Sequence, residues 1–157
     1  LKGAAASQES CEKTITIEDI EFITEAVLSV VNLFQKRAIV FSSFDPDVVR
    51  KLKRAQSHAT MFLSEGEPDM HIDPRRTSFV AAIEWAHANG LDGVVLHSNL
   101  LRTQLDIISK ASAHGLIVMT YGTDNDDHEW VLSQFCLGVH GAIIDDVAGV
   151  TKKLSVS

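Results

Sequence analysis

Polar side chains follow five short apolar segments of this 157-residue sequence. The apolar segments occupy residues 38–41, 60–63, 93–96, 116–119 and 142–144. Hydroxyl, carboxylate, imidazole and phenol groups can bind a polar substrate, transfer protons or ligate a divalent metal ion. The candidate pocket residues at the ends of these segments are Ser42, Ser43, Glu65, His97, Tyr121 and Asp145.

The apolar segments have the length and aliphatic content of buried β-strands, and helix-length segments lie between them. Strands that alternate with helices predict an α/β fold with a parallel sheet. Ligands bind such sheets at the carboxyl ends of the strands, so the polar residues are expected to share one functional face. The pattern leaves two architectures open, a five-stranded doubly wound sheet and part of an eight-stranded barrel. The predicted helices span residues 17–35, 46–56, 78–89, 100–114, 127–137 and 147–154.

Capping residues and apolar spacing define these helices further. Thr16 and Asp19 resemble a capping box, and Asp45 before Pro46 is typical of a helix start. The acidic run 124–127 is expected to cap a helix rather than to bind calcium. The residues predicted to face inward are Ile20, Ile23, Val27, Val30, Val31, Phe34, Val48, Val49, Leu52, Phe79, Ala82, Ile83, Ala86, Leu101, Leu105, Ile108, Val131, Leu132 and Phe135. The basic residues predicted to be solvated are Lys51, Lys53, Arg54, Arg75 and Arg76, the last two in a long loop over 66–77. An alternative for Arg75 and Arg76 is contact with a substrate phosphate at the strand ends.

Composition restricts the classes of partner. A hydrophobic content of 45% is typical of a globular domain, and a formal net charge of −7 argues against a nucleic-acid partner or an anionic membrane surface. No apolar run approaches the roughly 18 residues that span a bilayer. Two cysteines, Cys11 and Cys136, do not form a disulfide framework, so we expect an intracellular, cytoplasmic protein.

Several segments, taken together and in order, resemble the glycerophosphodiester phosphodiesterase family, particularly its large eukaryotic members related to glycerophosphocholine phosphodiesterases. The resemblance covers about residues 17–150, nearly the whole chain. Tyr121 stands where that family usually has a tryptophan. The segments that carry the likeness are Ile39–Asp47, Met61–Gly66, Asp73–Ser78, Leu96–Ser98, Gly115–Gly122 and Gly138–Asp146.

The resemblance implies a TIM-barrel-type fold of (β/α) units. Residues 16–157 would hold about five of the eight strands, a partial barrel, after a flexible leader over residues 1–15. The implied reaction is metal-assisted hydrolysis of a glycerophosphodiester to glycerol 3-phosphate and an alcohol, with calcium or magnesium in the complete enzyme. The family's His-Arg-Gly motif is absent, and no Glu-x-Asp pair precedes the segment 38–41. We therefore expect no catalytic residue and no metal ligand in this chain, which would supply the substrate-pocket wall.

The expected partners follow from the same resemblance. They are a glycerophosphodiester substrate once the barrel is complete, and a protein partner or the amino-terminal half of the domain that covers the open barrel edges. Exposed strand edges would otherwise promote aggregation. An alternative hypothesis is a non-catalytic truncated barrel that acts as a structural or interaction subunit of a larger assembly.

Overall fold

The computed structural model describes residues 16–34, 37–67 and 71–154. The predicted leader and Cys11 therefore lie outside the described residues. No helix in the described part of the chain is both long enough and apolar enough to cross a membrane. The elements in chain order are α1 (Ile17–Val31), β1 (Val40–Ser43), α2 (Pro46–Ala55), β2 (Ala59–Ser64), α3 (Phe79–Ala88), β3 (Gly93–His97), α4 (Ser98–Leu101), α5 (Asp106–Ala113), β4 (Ile117–Tyr121), α6 (His128–Cys136), β5 (Gly141–Ala142) and α7 (Val147–Leu154).

Side-chain caps begin the helices where the sequence predicts them. Thr16 and Asp19 form the reciprocal capping box of α1, with the Thr16 hydroxyl accepting from the Asp19 amide at 3.1 Å. Asp45 accepts from two amides at the start of α2, with Pro46 as the first helical residue. Asp127 likewise accepts from two amides of α6, which confirms the capping interpretation of the acidic run. Each cap satisfies amide groups that have no partner within the helix.

All strand pairs of the sheet are parallel, and the strand order is β1-β2-β3-β4-β5. A doubly wound sheet reverses its strand order at a switch point, so this sequential order excludes the doubly wound alternative. Because successive right-handed crossovers proceed in one direction, the helices are expected on one face of the sheet. The other face corresponds to the interior of a barrel.

The core has two layers, one on each face of the sheet. Alternate strand residues face the helices, where Phe62, Val94 and Val118 are fully buried against the helical side chains. The opposite set forms a smaller cluster that includes Met61, Leu63 and Val95. The helix-facing cluster contains the predicted core residues Val49, Phe79, Ala82, Ile83, Ala86, Leu101 and Ile108.

The predicted inward face of α1 is partly wrong. Only one stripe of the helix packs on the rest of the chain, and the predicted core residues Ile23, Val27, Val30 and Phe34 remain exposed. The packed stripe contacts a cluster made by β1 and α2, because those two elements are its neighbours within the described residues. The packed α1 residues are Ile20, Leu28 and Val31, and they contact Phe41, Val48 and Leu52.

Two other predicted inward residues are exposed. The segment predicted as one helix over 100–114 divides into α4 and α5, because consecutive amides after Leu101 bond to carbonyls three residues back and end the first helix. Leu105 then lies at the start of α5 and is 42% exposed. Phe135 is 41% exposed, because Gln134 takes the inward position of α6.

The predicted solvation of Lys53 is wrong, and Lys51 is exposed as predicted. Lys53 contacts Asp92 at 2.7 Å, and the same Asp92 oxygen accepts from the Thr60 amide at 2.8 Å. Lys51 contacts Glu21 of α1 at 3.1 Å. The two ion pairs join α2 to its neighbours, whereas Arg54 is exposed as predicted.

Candidate functional site

Three of the six predicted pocket residues meet at the carboxyl ends of neighbouring strands. His97 ends β3, Tyr121 ends β4, and the sheet register places these two residues side by side. Their rings meet edge to face with centroids 5.1 Å apart. Glu65 follows β2 directly, and its negative charge acts on Tyr121. We call Glu65, His97 and Tyr121, together with the contacting residues named next, the mouth cluster.

Phe44, His71 and Arg76 complete the mouth cluster, and the sequence pattern did not select them as pocket residues. Phe44, just after β1, packs edge to face on Tyr121 with ring centroids 5.6 Å apart. The Arg76 guanidinium lies 5.7 Å from the centre of the Phe44 ring. Residues 71–76, which precede α3, therefore lie over the strand ends.

Glu65 is the charged centre of this cluster. Both of its carboxylate oxygens accept from Arg76 Nη2 at 3.2 Å, and His71 Nε2 lies 3.0 Å from Glu65 Oε2. The Arg76 side chain is only 17% exposed, so its predicted solvation is wrong. A charge pair with restricted solvent access is screened less than a surface pair. A sequence signal that could have predicted the pair of Glu65 with Arg76 is a strand-end carboxylate that is followed, in the next loop, by an arginine.

Arg75 also belongs to a network rather than to solvent. Its guanidinium contacts Asp73 at 2.6 Å and Asp47 of α2 at 2.9 Å. Hydrogen bonds from Arg75 hold the pKa of both carboxyls below the ordinary aspartate value. The predicted solvation of Arg75 is therefore also wrong, and Arg75 fixes the loop before α3 to α2.

Three buried polar atoms at the strand ends have no hydrogen-bond partner among the described residues. They are the Tyr121 hydroxyl, His97 Nδ1 and the Ser98 hydroxyl. Burial, followed by the negative charge of Glu65, raises the pKa of the Tyr121 phenol, which therefore remains a hydrogen-bond donor at neutral pH. Such unpaired groups are costly in a core and are typical of ligand sites.

Gly122 allows the backbone to approach this corner. Its φ of 115° disfavours any other residue, and a Cβ at this position would lie 3.0 Å from His97 Nε2 and 3.2 Å from the Ser98 hydroxyl. The glycine after β4 therefore supports the packing of the β3 end against the β4 end.

The remaining predicted pocket residues lie outside the mouth cluster. Ser42 is exposed on the barrel-interior face of β1. The Ser43 hydroxyl accepts from the Asp45 amide at 3.1 Å, so it supports the turn into α2. Asp145 is exposed after β5, with no hydrogen bond or ion pair within the described ranges.

A comparison with known protein families assigns the chain to one of them. The model of the glycerophosphoryl diester phosphodiesterase family matches residues 5–148. The chain belongs to this family.

Individual relatives agree with the assignment. The chain is 34% identical over 137 residues to a glycerophosphodiester phosphodiesterase of Arabidopsis thaliana, a match that covers 84% of the chain and 37% of the relative. It is also 34% identical over 144 residues to a glycerophosphocholine phosphodiesterase of Eremothecium gossypii, over 90% of the chain and 11% of that protein. The chain thus spans much less than the full length of either relative.

Solved structures of the family share the fold. A glycerophosphodiester phosphodiesterase from Parabacteroides distasonis superposes with a TM-score of 0.65 at 16% sequence identity. The match covers 90% of this chain and 53% of that one. The sequential parallel sheet therefore corresponds to part of the TIM-barrel fold of this family.

The described residues of this phosphodiesterase-family chain do not fit a divalent metal site by themselves. Within residues 16–34, 37–67 and 71–154, no three histidine, cysteine, aspartate or glutamate side chains come together as a metal ion would need. Glu65 already faces Arg76, and Asp146 accepts from the Gly149 amide at 2.9 Å at the start of α7. Glu65 and Asp146 therefore serve ion pairing and capping, respectively.

Proposed function

We propose that this chain is the carboxyl-terminal part of a glycerophosphodiester phosphodiesterase domain and supplies one wall of its substrate pocket. The observation that carries the proposal is the mouth cluster, in which a charge pair, an aromatic corner and unpaired polar atoms lie at the carboxyl ends of parallel strands. Enzymes with this fold bind their substrates at that face. The share of each relative that the chain spans supports a partial domain.

The proposed reaction is hydrolysis of a glycerophosphodiester. Water adds to phosphorus, and the bond between phosphorus and the alcohol oxygen breaks, which releases glycerol 3-phosphate and the alcohol. The groups that activate water and hold calcium or magnesium would come from the amino-terminal part of the domain, because the family motifs that provide them are absent before β1.

The mouth cluster would bind and orient the substrate. Arg76 provides a guanidinium, the group best suited to paired hydrogen bonds with a phosphodiester anion. The Tyr121 phenol stays protonated and can donate to a phosphate or glycerol oxygen. Phe44 and Tyr121 provide an apolar corner for the carbon skeleton. Glu65 would hold Arg76 in position.

The test compares this chain alone with the chain co-expressed with the amino-terminal part of the Arabidopsis relative. Glycerophosphocholine is a suitable substrate because the Eremothecium relative bears its name. With calcium or magnesium, we expect no turnover by the chain alone and turnover by the complex. Arg76→Met should lower kcat/KM of the complex about tenfold or more, whereas Arg54→Met, on the outer surface of α2, should not. Turnover by the pure chain would refute the proposed division of groups.

A non-catalytic subunit is the second candidate, and the missing family motifs favour it. A complex that assembles and binds glycerol 3-phosphate but never hydrolyses the diester would support that function instead. We also propose an intracellular, cytoplasmic location, on the basis of the low cysteine content.

A further inference from the structure

A cavity of about 420 Å³ lies between helices α1 and α2. Its volume falls within the range of about 300–1,000 Å³ that is typical of small-molecule sites. The α1 side is mainly apolar, because Ile17 and Ile20 form it together with Glu21. Ile17 is 73% exposed, so an apolar ligand group placed against it would remove this side chain from water. We call this space the α1–α2 cavity.

The α2 side of the cavity is basic. Arg50, Lys51 and Arg54 line it, together with Asp47. Arg50 and Arg54 are four residues apart, so they are neighbours on the surface of α2, where two like charges destabilise a helix. An anion bound between the two guanidinium groups would relieve that repulsion. The three cations therefore form a local positive site in a chain whose formal net charge is −7.

The Asp47 carboxylate does not use up the hydrogen-bonding capacity of Arg50. Asp47 contacts Arg50 at 2.7 Å, but it also contacts Arg75 at 2.9 Å. Hydrogen bonding to Arg75 is the main reason that the pKa of Asp47 is lowered, and the charge of Arg50 contributes less. Arg50 reaches Asp47 through Nη2, and a guanidinium has five N–H donors. Donors of Arg50 therefore remain for a ligand.

Lys51 and Arg54 add further donors to the cavity. Lys51 Nζ contacts Glu21 at 3.1 Å, and an ammonium group has three N–H donors. Arg54 is exposed, and its guanidinium makes no ion pair or hydrogen bond within residues 16–34, 37–67 and 71–154. The cavity thus combines an apolar wall on α1 with one unpaired guanidinium and two partly used cations on α2.

We propose that the α1–α2 cavity binds a small amphiphilic oxyanion, an alkyl carboxylate or alkyl phosphate with a short aliphatic chain. The oxyanion would accept hydrogen bonds from Arg50 and Arg54, because planar guanidinium groups match carboxylate and phosphate oxygens. The aliphatic chain would cover Ile17 and Ile20. The cavity shares no residue with the mouth cluster, so this inference does not depend on the proposed function.

Charge favours a small anion over a polyanion or a membrane. A formal net charge of −7 repels nucleic acid and anionic lipid surfaces, whereas a single small anion responds mainly to charges within about 10 Å at 0.1 M salt. Residues 16–34 contain four acidic residues and no lysine or arginine, so α1 offers no basic surface to an anionic bilayer. A small molecule therefore fits the α1–α2 cavity better than either of these larger partners.

The experiment titrates four probes into the full chain by isothermal titration calorimetry, each probe below the concentration at which it forms micelles. The probes are octyl phosphate, octanoate, inorganic phosphate and octanol. We expect at least one of the two amphiphiles to bind 1:1, and its head group then identifies the preferred oxyanion. Inorganic phosphate lacks the aliphatic chain and octanol lacks the charge, so each should bind at least about tenfold more weakly than that amphiphile.

Two variants test the two walls of the cavity. Arg54→Met should weaken binding of the amphiphile about tenfold or more, because hydrogen bonds to a charged group are lost. Lys110→Met on α5 is its matched control, since Lys110 is exposed and pairs only with Asp106 at 3.1 Å among the described residues. Ile17→Ser should weaken binding about threefold or more, whereas Val80→Ser on α3, where Val80 is 37% exposed, should not.

Several outcomes would overturn the inference. They are no binding of either amphiphile by a chain that circular dichroism shows to be folded, equal affinities for the amphiphile and for inorganic phosphate or octanol, and equal affinities of Arg54→Met and Lys110→Met. Binding to phosphatidylserine vesicles that depends on Arg54, without binding of the monomeric amphiphiles, would assign the site to a membrane instead. If Arg54→Met does not fold, Arg54→Gln is compared with Lys110→Gln under the same criteria.

Discussion

Replacement of Asn125 with alanine should destabilise the chain more than any polar substitution on its surface. Asn125 is fully buried and donates to the Thr120 hydroxyl at 3.2 Å and to the Ile143 carbonyl at 3.0 Å. It also accepts from Gln134 Nε2 at 2.9 Å. This single side chain therefore ties the residue before Tyr121, the segment after β5 and helix α6 together.

The magnitude follows from these contacts. Three hydrogen bonds at about 1 kcal/mol each give a loss of about 3 kcal/mol, and a buried group left without a partner adds to that loss. Asn89 provides the matched control, because it is only partly buried and makes one side-chain bond, to the Trp85 carbonyl at 2.9 Å. Asn89→Ala should cost about 1 kcal/mol.

Urea unfolding followed by circular dichroism measures both variants at constant pH. At about 2–4 °C per kcal/mol for a domain of this size, Asn125→Ala should also lower Tm by about 6–12 °C. If Asn125→Ala loses no more free energy of unfolding than Asn89→Ala, the buried network does not contribute as reasoned. A change in the denaturant m-value would instead indicate an altered unfolded or native ensemble.

Two further predictions concern a glycine and an arginine. Gly122→Ala should lower the free energy of unfolding by about 2 kcal/mol, because Gly122 has a φ of 115°. It should also shift the NMR signals of the His97 ring, because the new Cβ would lie 3.0 Å from His97 Nε2. Arg75→Met should weaken the pH dependence of stability below about pH 4. Arg75 lowers the folded-state pKa of two aspartates, so their contribution is present above the unfolded-state pKa and is lost as pH falls through the folded-state pKa.

Matched variants test both statements. Gly115 has a φ of 71° with open space around its Cβ position, so Gly115→Ala should cost about 1 kcal/mol and leave the His97 signals unchanged. Equal effects of the two glycine variants would contradict the role assigned to the contact with His97. Arg54→Met removes the same charge from an exposed site, and an equal loss of acid sensitivity in this variant would contradict the role of Arg75.

Local signals in the sequence predicted most of the secondary structure. The caps at Thr16, Asp45 and Asp127 were correct because a cap depends on residues within one turn of the helix. The division between α4 and α5 was missed, because it depends on a change from four-residue to three-residue hydrogen bonding that apolar spacing does not show. The strand positions were predicted to within a few residues.

The mouth cluster was only partly predictable. The strand-end rule found Glu65, His97 and Tyr121, because parallel strands align their carboxyl ends. It missed Phe44 and Arg76, since their contacts depend on the path of loops between elements. It also selected Ser43, which the structure uses to support a turn.

The sequence by itself determined the alternation of strands and helices, the family resemblance and the face of the sheet that carries polar groups, since all three are encoded in local order and spacing. The tertiary structure alone decided the sequential strand order, because that depends on long-range pairing. It also decided which side of α1 is buried and which partner each charged loop residue has. Burial depends on which elements are neighbours. The sequence predicts that one broad face of α1 is packed, but among the described residues only part of that face has a neighbour.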